Sequence, residues 1–389
     1  MVEKIALVSS LITEKGCHMK DINKYRGCLI GGAVGDALGY AVEFMQDYEI
    51  FEKYGTNGIT EYSLVNNLAY VSDDTQMTLF TANGLLLGTT RERIKGEKNS
   101  YLHYISVCYK DWLKTQTAED FGFESPEFAW LNHVPEMNHS REPGQTCIYY
   151  LMHNNLGTTT DHKNNSKGCG GIMRVAPIGL YFENKGYTLA QIDMMGAEAA
   201  ALTHGHELGY IPAAMLVHII HLLAHNTDMS VLDAVKDAQK AITALFPYAK
   251  HVDKLIDLTN TAIQLASSHK ILDIDAIRKL GEGWVAEETL AIAIFCAIKY
   301  EHNFEKAMIA SVNHSGDSDS TGSVTGNILG AHLGIQAIPQ KFLNRLELKD
   351  TILEIADDLF YDYQISEDES AQDTIWAQKY IYHTYLNKK

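Results

Sequence analysis

The sequence predicts an all-α protein, and three observations carry that expectation. Valine, isoleucine and threonine nowhere alternate at period two for long, so strands are weakly indicated. Helical patterns recur along the whole chain of 389 residues, and only seven prolines interrupt them. No low-complexity linker divides the chain. At roughly 100–200 residues per domain the length admits one large domain or two. We therefore expect a single domain over residues 25–389, with residues 1–24 as an appended N-terminal arm.

The arm carries a serine-broken apolar stretch, IALVSSLI, with Glu3 and Glu14 around it, a poor signal peptide. RGCLIGGAVGDALGYAVEF follows at 26–44, with Gly27, Gly31, Gly35 and Gly39 four residues apart and so on one helix face. Asp73 and Asp74 then open a helix to about Leu87, with Ser72 placed as its N-cap. Further helices are expected over 101–115, 189–202, 207–225, 229–245, 251–267, 287–301, 303–312, 320–333, 350–361 and 374–387. The polar loop NNLGTTTDHKNNSKGCGG, 154–171, is too long to be a mere connector. From Tyr361 an acidic SEDES and the aromatics Trp376, Tyr380, Tyr382 and Tyr385 indicate a final loop and a packing helix.

The 320–333 helix repeats the oddity of the first: Gly322, Gly326, Gly330 and Gly334 stand at the same spacing. Each helical glycine costs about 1 kcal/mol against alanine. Two glycine-striped helices can, however, approach backbone to backbone, as small-residue stripes do in membranes. That contact would draw the two ends of the chain together.

Acidic groups sit beside both stripes: Glu43, then Asp73 and Asp74 in SDDT, then Asp317 and Asp319 in GDSDST. Taken singly, SDD is a helix cap or a ligand set, and DSD is a polar turn or a ligand set. Taken together they have hydroxyls beside them and no basic residue within either motif. Converging carboxylates repel unless a cation lies between them. Oxygen-only ligands select Mg²⁺, Mn²⁺ or Ca²⁺ over zinc, and two such pairs flanked by Ser72 and Ser320 could supply a two-metal site.

The composition is that of a soluble globular protein, 46% hydrophobic and 21% charged. A net charge of −17 argues against a nucleic-acid or anionic-membrane surface, which needs a basic patch. The six cysteines form no CxxC pair, which suits a reducing cytoplasm. The most apolar run, TLAIAIFCAIKY at 289–300, is well short of the roughly 20 residues that cross a bilayer. HGHEL at 204–208 is not a zinc-protease HExxH. His218, His221 and His225 share one helical face, which we read as half-exposed rather than as a zinc site.

In this order the motifs resemble the ADP-ribosylglycohydrolases, which include dinitrogenase-reductase-activating glycohydrolase and ADP-ribosylarginine hydrolase. GGAVGDALGYAVEF is similar to that family's opening helix and following glutamate, here Glu43. SDDTQMTL is similar to its first metal motif, with Ser72 where Thr is commoner. SKGCGGIMRVAPIGL (166–180) is similar to its substrate loop, LTHGHELGY (202–210) to its histidine segment and HSGDSDSTG to its second metal motif.

The resemblance implies a compact orthogonal bundle of helices with two Mg²⁺, or Mn²⁺, held by Ser72, Asp73, Asp74, Asp317, Asp319 and Ser320. It implies hydrolysis of the glycosidic bond between ADP-ribose and a modified protein side chain, with Glu43, Asp74 and Asp317 as the catalytic carboxylates. Ser166, Gly168, Cys169, Gly170 and His204 would contact ADP-ribose. A glycine run such as Gly168-Cys169-Gly170-Gly171 lets backbone N–H groups approach a pyrophosphate, so an acidic protein can bind an anion without a basic patch. Family members often carry a polar residue in place of Cys169. Arg174 is read as a structural ion pair in preference to a phosphate contact. The DSDST form of the second metal motif resembles the arginine-directed branch. Serine-linked ADP-ribose, O-acetyl-ADP-ribose and a non-enzymatic, crystallin-like binding role are the alternatives. The implied partner is an ADP-ribosylated protein, with the arm as a further protein contact and the cytoplasm as the location.

Overall fold

The computed structural model describes residues 20–98, 100–117, 127–268, 270–363 and 373–385. Most of the arm and the SEDES segment lie outside the described residues. Among the described residues, helices, turns and coil make up the whole fold, with three isolated bridges and no strand.

The first described helix, Ile22–Gly39, begins inside the segment assigned to the arm, capped by Asp21, whose carboxylate accepts the Asn23 N–H at 2.9 Å. It packs antiparallel along Ser318–Leu333, glycine stripe against glycine stripe. A Cβ added at Gly27 would lie 2.5 Å from the Gly330 carbonyl oxygen; at Gly31 and Gly35 it would press still closer on the carbonyls of Gly326 and Gly322. Gly39 ends the row against the Ser318 backbone. This backbone contact is what offsets the poor helix propensity. Gly334 closes the row and ends its helix: its carbonyl carbon would lie 2.7 Å from a Cβ at Gly27, and its φ of +76° is one that glycine favours.

Ser72 caps the next long helix as expected, its hydroxyl accepting the Asp74 N–H at 3.2 Å. That helix, Asp73–Lys95, runs past Leu87 and stops at the left-handed Gly96. Asp47–Tyr54, Gln145–Met152, Ala176–Tyr181 and Asp273–Leu280 are helices of at most eight residues, too short to show a period in sequence. The last helix, Asp373–Tyr380, ends earlier than expected, with the Trp376 indole donating to the Thr90 hydroxyl at 3.1 Å.

Glu207–His225 forms part of the core. By length and composition it could cross a bilayer, which the 289–300 run could not, yet 89% of its apolar window is buried inside the chain. A helix apolar all round belongs in an interior. Its histidines are accordingly buried, not half-exposed: His218 lies 2.9 Å from Asp193 and 3.0 Å from Asp237, and His225 lies 3.0 Å from the Tyr25 hydroxyl. Leu189–Ala201 and Val231–Leu245 supply the two aspartates at His218, whereas Gly179 and Glu183 meet His221 and Tyr25 meets His225.

Candidate active site

The site begins with Asp36, buried within the first glycine helix. Its carboxylate accepts the Ser72 N–H at 2.9 and 3.1 Å, the Thr75 N–H at 3.1 Å and the Thr75 hydroxyl. The first turn of Asp73–Lys95 is thereby pinned to the opening helix. On the other glycine helix Asp317 is the N-cap, accepting the Ser320 N–H at 3.1 Å. The Ser320 hydroxyl donates to Asp74 Oδ2 at 3.2 Å. The Gly144 N–H donates to Asp73 at 3.1 Å and fixes that side chain from another segment.

Glu43, Asp73, Asp74, Asp317, Asp319 and Ser320 line one cleft, and Gly168, Cys169, Gly170 and His204 line it with them. Two expected site residues are set behind it. Ser72 is fully buried as the helix cap, and Ser166 accepts the Gly168 N–H at 3.5 Å and supports the loop.

Among the described residues no lysine or arginine is part of this lining. Burial, then the neighbouring carboxylates, push Glu43 up to about 11 and Asp36 up to about 7. Burial likewise holds Asp73, Asp74 and Asp317 well above the usual carboxylate range and raises Asp319. Glu43 Oε2 and Asp74 Oδ1 are buried acceptors with no hydrogen-bond partner among the described residues. Unpaired buried carboxylate oxygens are costly unless a cation meets them. An all-oxygen donor set with two such atoms fits hard divalent cations.

The opposite side of the cleft is built on close approach. A Cβ at Gly170 would stand 3.0 Å from Cys147 Sγ and 3.1 Å from His204 Cε1. His204 lies 2.9 Å from the Thr203 hydroxyl, and burial lowers it to about 3, so the ring is neutral. The Cys169 thiol donates to Asp317 Oδ2 at 2.7 Å and ties the loop to the acidic cluster; burial raises it far above the usual thiol range. Among the described residues Arg174 makes no ion pair. It is buried, donates to the Ala199 carbonyl at 3.0 Å and the Thr203 hydroxyl at 2.8 Å, and stacks 4.3 Å from the Tyr109 ring.

Sequence reasoning missed Asp36, which only the partnership with Ser72 and Thr75 reveals. It also missed the mouth of the cleft, where exposed Phe44 and Trp284 stack with ring centroids 6.1 Å apart. The one available signal was position, since Phe44 directly follows Glu43 and Trp284 is an exposed aromatic in a glycine-rich turn.

The model of the ADP-ribosylglycohydrolase family matches residues 18–369. The ADP-ribosyl-[dinitrogen reductase] glycohydrolase of Rhodospirillum rubrum is 24% identical, over 83% of this chain and 90% of its own length. The mouse ADP-ribosylhydrolase ARH3 is 23% identical, over 84% and 88%. The ADP-ribosylarginine hydrolase Tri1 of Pseudomonas putida is 20% identical, over 87% and 78%. A solved ADP-ribosylglycohydrolase-related protein complex shares the fold with a TM-score of 0.57 and 21% identity, over 88% of this chain and 99% of its own. With the family model covering nearly the whole chain and the acidic motifs meeting in one cleft, the protein belongs to the ADP-ribosylglycohydrolase family.

Proposed function

We propose that this chain is a divalent-metal-dependent ADP-ribosylhydrolase that releases ADP-ribose from arginine side chains of modified proteins in a reducing cytoplasm. The observation that carries this reading is the meeting of five buried carboxylates, two with an oxygen unpartnered among the described residues, in one cleft. Ser72, Asp73, Asp74, Asp317, Asp319 and Ser320 would hold two Mg²⁺, with Mn²⁺ as the substitute. Ser72 would serve chiefly by positioning Asp74. When bound, such ions orient ribose hydroxyls and supply an activated water.

The chain's own residues do the rest. Glu43 is the proton carrier: it lines the cleft, is 8% exposed and has one oxygen free of hydrogen-bond partners among the described residues. Asp74 and Asp317 are held on target by Ser320 and Cys169. The Gly168–Gly170 turn, whose Gly168 and Cys169 N–H groups donate to Ser166 and the Trp284 carbonyl, would let the pyrophosphate approach the backbone closely, and neutral His204 lies against the same turn to contact the ligand.

Arginine is supported by the DSDST motif and by the relative named as an ADP-ribosylarginine hydrolase. A binding-only role would leave five costly carboxylates without a purpose. Incubation of the protein and Mg²⁺ with arginine-linked and serine-linked ADP-ribosylated proteins tests the assignment. Loss of label from the arginine-linked substrate is expected; loss from the serine-linked one alone would overturn the linkage, and loss from neither the activity.

A further inference from the structure

Phe44 and Trp284 stand together at the mouth of the acidic cleft, and no step of the hydrolysis uses them. Their rings are nearly parallel, 21° apart with centroids at 6.1 Å, and the two residues keep 67% and 40% of their surface exposed. Each ring therefore retains area for a further partner. Exposed aromatics scattered singly need no explanation, but two that stack beside a reaction centre do.

The backbone fixes where both rings stand. Phe44 belongs to a turn whose Val42 is buried in the core and whose Met45 packs against it, which leaves Phe44 outside, next to Glu43. Trp284 rides on a turn fastened at three points. The Glu282 carbonyl accepts the Asp317 N–H at 2.8 Å, the Gly283 carbonyl accepts the Thr289 hydroxyl at 2.6 Å, and Trp284's own carbonyl accepts the Cys169 N–H at 3.3 Å. Gly283 allows this approach at φ +85°, where a Cβ would stand 2.7 Å from Thr321 Cγ2. The indole is thus held between the acidic cluster and the glycine loop.

The surroundings suit a cation. Glu43 and Glu142 line the cleft with Trp284, and among the described residues no lysine or arginine does. A guanidinium is planar, stays charged and stacks on aromatic faces. Position agrees with such a guest. The leaving nitrogen has to meet the proton carrier Glu43, and Phe44 is the next residue. The pyrophosphate lies toward the Gly168–Gly170 turn, with the adenine beyond it. We propose that Phe44 and Trp284 receive the guanidinium of the modified arginine and so set a preference for arginine over serine, whose leaving oxygen brings neither a plane nor a charge. This assignment rests on the arginine reading of the cleft.

The test separates binding from turnover. The full chain carrying Glu43→Gln, with Mg²⁺ present, is titrated calorimetrically with ADP-ribosylated arginine and with ADP-ribose. Adding Trp284→Ala or Phe44→Ala should weaken the first ligand by about 5- to 30-fold, the usual span of a cation–π contact, and leave the second unchanged. Trp284→Tyr, which keeps an aromatic face, should restore most of the loss. Phe44 is largely exposed, so Phe44→Ala keeps the test decisive should Trp284→Ala fail to fold. Equal weakening of both ligands would place the pair on the adenine, and no weakening of either would leave it a surface contact; each result overturns the proposal. Should the chain with Glu43 intact release no ADP-ribose from arginine while the titrations show the expected pattern, the stacking stands and the hydrolase reading alone falls.

Discussion

The Ser320 hydroxyl donates to the Asp74 carboxylate at 3.2 Å, across 246 residues of sequence. The contact follows from the antiparallel register in which Gly35 meets Gly322 and Gly39 meets the Ser318 backbone. That register sets the start of one glycine helix beside the end of the other. Asp36 then binds the SDDT turn to the same place. Glycine stripe, cap and acidic cluster thus form one device, and each part can be broken separately.

Gly326→Val tests the stripe. Helix propensity favours the variant by up to about 1 kcal/mol. A Cβ at 326, however, would press on the Gly31 carbonyl and stand 2.9 Å from the Gly32 nitrogen, and backbone cannot swing aside. Overpacking of about 1–3 kcal/mol wins, so the urea midpoint should fall and Mg²⁺ should stabilise the variant less. A more stable, fully active Gly326→Val protein would make the stripe incidental.

Asp36→Asn tests the positioning of SDDT. The carboxylate serves the N–H groups of Ser72 and Thr75 and the Thr75 hydroxyl; an amide offers one oxygen where two were used. A donor left buried and unpaired costs about 1–3 kcal/mol. Unfolding curves should show that loss, and the half-saturating Mg²⁺ concentration should rise. Unaltered Mg²⁺ dependence would remove Asp36 from the site's support.

Glu43→Gln separates proton handling from binding. Metal uptake and ADP-ribose affinity should persist, while turnover falls by about 10²–10⁴-fold, the usual share of a general acid or base. Isothermal titration and a release assay on one preparation decide it. Hydrolysis at the parental rate would rule out this role.

The pH response of the cation-free protein has a defined sign. Asp36 is raised to about 7, and Asp73, Asp74 and Asp317 stand well above their unfolded value of about 4, by burial first. A carboxyl raised by folding stabilises the fold while protonated; that contribution is complete below the unfolded pKa and is lost as pH rises through the folded one. Cations compete with those protons. The Tm gap between Mg²⁺-loaded and EDTA-treated samples should therefore be small near pH 5 and wide near pH 8. A gap independent of pH would contradict the picture.

Much of this was legible because glycine stripes and paired acids are costly patterns that few folds tolerate. The two stripes disclosed their contact, and SDDT and DSDST their shared site, before any geometry. Asp36 was not legible: an acid inside a helix reads as a solvated position until its partners are known. The histidine face read as half-exposed for the matching reason, since only tertiary packing shows that Asp193 and Tyr25 cover it. Arg174 reads in sequence as half of an ion pair, whereas carbonyl, hydroxyl and ring contacts serve it among the described residues. Gly334 shares the spacing of the stripe and also ends the helix, a second role written in φ and not in sequence.

The central claim is that the carboxylates meeting at Asp74 and Asp317 hold divalent cations on which hydrolysis depends. The most direct measurement follows ADP-ribose release from an arginine-linked substrate while Mg²⁺ is returned to chelator-stripped protein, with Asp74→Ala and Asp317→Ala alongside. Activity should be absent without metal, saturate with Mg²⁺ or Mn²⁺, and fail to return in either variant. Full release by rigorously metal-free protein would contradict the account.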